Sequence, residues 1–308
     1  MRAFLDRLLR AREGSHNPWL LIAALSAFIA FTVLGIRALP HIDKPIRWEL
    51  ILIAGLVCVP VIVVLNAFEF RLMAHFADHH PPMLEILQIT VLGSAANLLP
   101  MPGAVMVRLA NLRKAGVRVT KGLNLTAIIG LAWLGTAGAL GGAVQLFSHT
   151  TFAVIALGIG LTLLSVATAM LWRALEPGVR LAGALELLAI ESGFILMQAF
   201  RLYLIAAALR FDVSYAQTAT LAIAAVAAAA IGFLPSGLGA REGMAALLAP
   251  IVGFPAAVGL VITAVDRLVS LAVLSVLAGI VTITTRRQRR EQVLVAADVS
   301  QHVGAEGE

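Results

Sequence analysis

The sequence predicts an all-α polytopic membrane protein made of two inverted-topology repeats, each with a re-entrant broken-helix hairpin. Three observations predict it. The 308 residues are 60% hydrophobic and 13% charged, with a mean hydropathy of +0.94, far too apolar for a soluble domain of this size. Apolar runs recur at the roughly 20 residues that an α-helix needs to cross the hydrocarbon core, and they do not alternate as barrel strands would. Two of the runs are broken by proline and glycine and then resume with an arginine: Asn97-Leu-Leu-Pro-Met-Pro-Gly103 leading to Arg108, and Phe233-Leu-Pro-Ser-Gly-Leu-Gly-Ala-Arg241-Glu242.

Residues 1–16 read as a cytoplasmic amphipathic segment, with Phe4, Leu5, Leu8 and Leu9 on one side and Arg2, Arg7 and Arg10 on another. The run from Trp19 to Leu39 is too long for a signal-peptide core, so it is expected to stay as the first span. With the basic N-terminus inside, a second span from Trp48 to about Phe76 returns to the cytoplasm. The next segment starts at Met83, breaks at Pro100 to Gly103 and reaches the basic stretch Arg113 to Lys121. Both of its ends therefore belong inside, which requires a hairpin that enters and leaves by one face.

A fourth segment, Leu123 to about Phe147, completes a first membrane repeat over residues 17–147. The second repeat, residues 148–285, begins with spans at Thr151 to Trp172 and Leu181 to Leu209, and ends with a span from Pro255 to Thr285 that enters at Arg286-Arg-Gln-Arg-Arg290. Between them, Tyr215 to Pro250 has to start and end outside, as a second hairpin of opposite sense. Phe70-Arg-Leu72 and Phe200-Arg-Leu202 are a short local match between the halves. The plainer alternative is a bundle of eight to ten helices with proline kinks. Residues 286–308 are expected to be a basic, disordered cytoplasmic tail. The compartment expected is a bacterial inner membrane, with both termini cytoplasmic.

Transporters place broken helices in corresponding positions of two halves, because the break exposes backbone dipoles at membrane depth. Gly103 and Gly239 should stand where a second half-helix begins, leaving N–H groups that favour anions. Arg241, close behind Pro235, Gly237 and Gly239, adds a planar donor able to grip two phosphate oxygens, with Glu242 beside it to neutralise or orient it. Arg108, behind Asn97, Pro102 and Gly103, could act likewise or snorkel to the cytoplasmic interface.

Other charges fall deep in the expected spans: Glu69, Arg71, Glu186, Glu191, Arg201, Asp266 and Arg267. Each should face a partner or water, and Asp266 and Arg267, being adjacent, should each pair with another helix. The candidate substrate-binding set is thus Asn97, Pro102, Gly103, Arg108, Pro235, Gly237, Gly239, Arg241, Glu242, Arg267, Arg201 and Arg71. Glu191, Glu69 and Asp266 could carry a proton. No cofactor or metal is expected: Cys58 is the single cysteine, and His75, Asp78, His79 and His80 read as a solvated connector. Walker, Gly-x-Ser-x-Gly and His-Glu-x-x-His motifs are absent, so no enzyme activity is expected. A polyprenyl-phosphate phosphatase or transferase is the enzymatic alternative, but Gly103 is followed by Ala-Val-Met-Val rather than a hydroxyl nucleophile.

Phe233 to Gly243, the turn at Gly253 and Asp266-Arg-Leu268 resemble the flippase-like transmembrane region of lysylphosphatidylglycerol synthases, and Asn97 to Gly103 with Arg108 resembles that family's other hairpin. The resemblance runs from about Trp19 to Thr285. It implies inverted repeats with re-entrant helices, and movement of phospholipids or lipid-linked polar groups between leaflets. Lysyl-lipid synthesis, the work of the soluble domain of full-length synthases, is not implied. The fourth segment, Thr126-Ala-Ile-Ile-Gly-Leu131, departs from the family in having no Glu-Arg pair. The partners implied are membrane lipids with anionic headgroups and enzymes of envelope lipid or polysaccharide biosynthesis, the latter with an accessory role for this chain. Nucleic acid is not expected. The small residues from Ala222 to Ala230 suit either a homodimer or internal helix packing.

Overall fold

The computed structural model describes residues 45–96, 103–231 and 240–305, with Val33 before them; the expected first span and the N-terminal segment lie outside the described residues. Within these residues the fold is all helical, with no strand. The helices are α1 (Trp48–Phe76), α2 (Met83–Ala96), α3 (Gly103–Lys114), α4 (Val119–Val144), α5 (Thr150–Ala174), α6 (Arg180–Ala208), α7 (Tyr215–Ile231), α8 (Ala240–Ile251) and α9 (Ala256–Ala305).

Four of them, α1, α4, α5 and α9 as far as Thr285, are long and apolar enough to cross a membrane. With its 29 residues α6 has the length, but it carries Arg180, Glu186, Glu191 and Arg201. By contrast, α2, α3, α7 and α8 have 14, 12, 17 and 12 residues. At 1.5 Å per residue they reach about 18 to 26 Å, short of a hydrocarbon core of about 30 Å. They pack as pairs, α2 on α3 and α7 on α8. The multi-pass membrane assignment is supported by an outer surface that exposes Val154, Ile155, Ile159 and Leu161 on α5 and Val276, Ile280 and Ile283 on α9. The exposed hydroxyls of Thr162 and Ser165 on α5 bond to their own backbone, to the Gly158 carbonyl at 2.8 Å and to that of Leu161 at 2.8 Å, so these two donors need no water in lipid.

Contacts at the helix ends fix the direction of each element. The end of α1 meets the start of α4 through Asp78 and Lys121, at 2.6 Å, and this partner holds the Asp78 carboxyl below the usual carboxylate range. Arg113 and Lys114 at the end of α3, Arg173 at the end of α5 and Arg180 at the start of α6 belong to this same basic end. At the other end, the Arg47 N–H bonds to the Ala208 carbonyl at 3.0 Å, joining the start of α1 to the end of α6. Gln145, just past α4, donates to the Ala216 carbonyl and to Thr220 of α7, both at 3.0 Å. Gln217 of α7 donates to the Val252 carbonyl just past α8 at 2.7 Å. The α2–α3 pair therefore starts and finishes at the basic end, and the α7–α8 pair starts and finishes at the opposite one.

Two apolar cores result, one around each short pair. Ala67, Phe70, Ile86, Ile89, Leu112, Leu125, Leu171 and Leu187 bring α1 to α6 together in the first. Cys58, Ala199, Leu202, Leu221, Ala222, Ala245, Ala249, Val258 and Ile262 form the second, from α1 and α6 to α9. Helices α1 and α6 thus belong to both. Ala222, Ala224 and Ala228 are buried inside the chain, so this stretch of small residues serves internal packing. Trp133 packs edge-on against Phe194 at 5.7 Å within the bundle.

Three further features depart from simple helices. Pro60 lacks an N–H and crowds the carbonyl four residues back, and α1 accommodates it with a π turn at Ala54–Cys58 that packs on α6 and α9. Glycines bring α4 and α5 almost to backbone contact: a Cβ on Gly160 would stand 2.3 Å from the Ala139 nitrogen, and one on Gly142 2.7 Å from the Leu157 nitrogen. Where a disordered tail was expected, the backbone of α9 continues as a helix to Ala305. Glu291 to Ala305 has no proline and follows an established helix, so each added residue gains a hydrogen bond without a new nucleus.

Candidate functional site

Two groups of buried charges lie inside the bundle, each at one short pair. In the second, α8 starts at Ala240 and so presents Arg241 and Glu242 in its first turn. Facing it, α9 carries Asp266 and Arg267. The pairs cross: Arg241 binds Asp266, and Arg267 Nη1 donates to both Glu242 oxygens at 2.8 and 3.1 Å. Glu242 had been expected to neutralise its neighbour Arg241; successive residues point about 100° apart on a helix, and α9 supplies a separate partner for each. Asp266 and Arg267 do each pair with another helix, as their adjacency requires.

Asp266 has a second arginine. Arg201 of α6 places Nε 2.7 Å from Oδ1 and donates from Nη2 to Oδ2 at 3.0 Å. Arg201 also donates to Gln198 at 3.0 Å, one turn earlier on α6, and Gln198 approaches Asp266 at 3.5 Å. Asp266 and Glu242 are fully buried, and Arg201 is nearly so. Among the described residues three guanidinium groups therefore face two carboxylates, an excess of one positive charge. Arg241 Nε has no hydrogen-bond partner among the described residues, so this side chain has donor capacity to spare there. Cys58, in the π turn, is within electrostatic reach of Arg201 and Asp266.

The first group lies where α1, α3 and α6 meet. Arg108 of α3 binds Glu69 of α1, donates to the Asn66 carbonyl at 3.3 Å and stacks over the Phe70 ring at 5.6 Å. Its side chain is 16% exposed, so it pairs with Glu69 rather than snorkelling to the interface. Glu191 of α6 is fully buried, and among the described residues neither of its oxygens has a hydrogen-bond partner. The charged groups it faces are Glu69 and Arg108. Helix α4 contributes no charge here, in keeping with the missing Glu-Arg pair.

Of the other expected residues, Gly103 stands at the first position of α3. Arg71 is exposed and takes part in neither group, and Glu186 is exposed on α6. Asn97, Pro102, Pro235, Gly237 and Gly239 lie outside the described residues. The Phe-Arg-Leu match does not mark equivalent positions: Phe70 is buried and Arg71 exposed, whereas Phe200 is exposed and Arg201 buried. Sequence reasoning missed Gln198 and Asn66. The signal for Gln198 was its spacing, three residues before Arg201 on one helical face.

Among the described residues no group of three or more His, Cys, Asp or Glu could hold a metal; His75 and His80 meet at 3.3 Å at the basic end. A cavity of about 300 Å³ opens there, lined by Arg118, Thr120, Lys121 and Asn124. An apolar one of about 230 Å³ lies between α4, α5 and α7, at Leu134, Phe152, Ile155 and Ile223. Neither is lined by the buried charge pairs.

Fold and charges together define a polytopic helical membrane protein that holds cross-paired arginines and carboxylates in its interior. The chain belongs to the family described as Lysylphosphatidylglycerol synthase TM region, whose profile matches residues 19–278. That family gives it a role related to membrane lipids. No curated protein matches the chain.

Proposed function

We propose that this protein moves an anionic phospholipid, or another lipid with an anionic polar headgroup, between the leaflets of a bacterial cytoplasmic membrane. Its basic end faces the cytoplasm under the positive-inside rule. The short pairs α2–α3 and α7–α8 are re-entrant hairpins of two inverted-topology repeats, a reading supported by their length and by each pair starting and finishing at one end. The observation that carries the function is the positive excess around Arg241, at the start of a helix that begins inside the protein. A headgroup phosphate would take Arg241 from Asp266, which keeps Arg201 as its partner, while the acyl tails stay in the bilayer. Rocking of one repeat against the other would then change the leaflet to which the headgroup opens. The chain acts as a carrier, without catalysis.

The test is leaflet exchange of a headgroup-labelled phosphatidylglycerol in liposomes containing the purified protein, with labelled phosphatidylcholine as control and released phosphate measured in parallel. Loss of a charge-assisted hydrogen bond worth roughly 1.5–3 kcal/mol should slow exchange in Arg241→Ala by about ten- to a hundredfold, with the protein still folded. Equal exchange by native and variant protein would sink the assignment, and release of phosphate would make the protein an enzyme.

A further inference from the structure

Glu191 is a carboxyl group with no hydrogen-bond partner among the described residues, fully buried ten residues before Arg201 on α6. An ionised carboxylate in that position would cost several kcal/mol in lost hydration with nothing to offset it. Among the described residues the cation that faces it is Arg108, which is already bound to Glu69. The other described helices packed on α6 bring no compensating charge. Helix α7 has no charged residue, and the charged residues of α4 and α5, Lys121 and Arg173, stand at the basic end, Lys121 with Asp78. On α9, Asp266 and Arg267 are held in the other group, about 15 Å along α6 at 1.5 Å per residue. The group is electrically neutral only when Glu69 and Glu191 hold one proton between them against Arg108.

An anion that takes Arg108 changes this balance. Glu69 then becomes a second buried carboxylate without a cation, beside a first that already holds its proton. Like charges at such a site are not both ionised, so neutrality is restored by one proton taken up from the solvent. We infer that Glu69, Arg108 and Glu191 form a proton-coupling site, at which one proton enters with each anionic headgroup that displaces Glu69 from Arg108. The charges balance: a neutral triad, one anion and one proton give a neutral complex with both carboxyls protonated. The proton electrochemical gradient then drives movement of the lipid. The anion rests on the proposed lipid carrier, whereas the proton on Glu191 does not.

The experiment titrates the full chain in detergent, in weak buffer with a pH indicator, with short-chain phosphatidylglycerol and with short-chain phosphatidylcholine as control. Infrared difference spectra are taken alongside. The expected uptake approaches about one proton per bound phosphatidylglycerol, with none for phosphatidylcholine. A protonated-carboxyl band should be present before lipid and lost in Glu191→Gln, which folds because it replaces a neutral group. In that variant proton uptake persists through Glu69, and in Glu69→Gln it persists through Glu191, which is then the carboxylate that balances Arg108; in the double variant it disappears. Binding and leaflet exchange without proton uptake would overturn the coupling alone. Absence of binding would overturn both the coupling and the headgroup site of the carrier, and a band that survives Glu191→Gln would overturn the assignment of the resting proton.

Discussion

Asp266 accepts from two arginines on two different helices, and this determines which substitutions the second group of charges tolerates. Removing Arg241 leaves the carboxylate paired with Arg201. Removing the carboxylate leaves two guanidinium groups facing each other in an interior that excludes water. Asp266→Asn should therefore destabilise the fold by roughly 3–5 kcal/mol, the usual penalty for breaking a buried ion pair by removing one partner. A thermal-unfolding series in detergent should place Asp266→Asn far below native protein and Arg241→Ala close to it; the reverse order would mean that Arg241 is the structural residue. At this scale the sequence carried half of the information. Adjacent Asp266 and Arg267 had to find partners elsewhere, and they do. The partners themselves, 25 residues away on α8 and 65 away on α6, depend on which helix faces cross, and no local spacing encodes that.

The helices depend on where side chains are absent as much as on where they are present. Gly135, Gly138 and Gly142 of α4 face Gly160, Leu157 and Leu164 of α5, and the backbones meet without side chains between them. Lipid tails are as apolar as leucine, so such an interface is held by dispersion across a close approach rather than by expulsion of water. Gly160→Val should force α4 and α5 apart, at the roughly 1–3 kcal/mol or more that overpacking costs. Gly158→Val, where a Cβ meets nothing, should be silent. Equal melting temperatures for the two variants would show that the contact is dispensable. Helix existence was legible from apolar runs. The π turn was not, although Pro60 was its cause: proline states that a helix must adjust, not whether it will kink, break or widen. The extension of α9 past Arg290 was missed because composition weighs polarity, whereas a helix already begun needs only residues that do not stop it.

For the whole molecule, α1 and α6 are the members common to both apolar cores, and α6 also holds a charged residue of each buried group, Glu191 of one and Arg201 of the other. A rearrangement at one short pair therefore has a direct route to the other through these two shared helices. The order of long and short helices was legible, because the charge rule fixes which ends share a side of the membrane. The short Phe-Arg-Leu match was a poor guide, since a similar triplet can present opposite faces in two helices.

Cys58 gives the π turn a practical use. It is the chain's sole thiol, it is 1% exposed, and it sits within electrostatic reach of Arg201 and Asp266. The native protein therefore carries its own chemical clock. No engineered background is needed, since one added mass per molecule can report only this position. Maleimide should leave the resting protein almost unlabelled and mark it faster once phosphatidylglycerol draws Arg241 off Asp266. A labelling rate indifferent to the lipid would mean that the second group stays shut throughout, and that headgroups travel by another route.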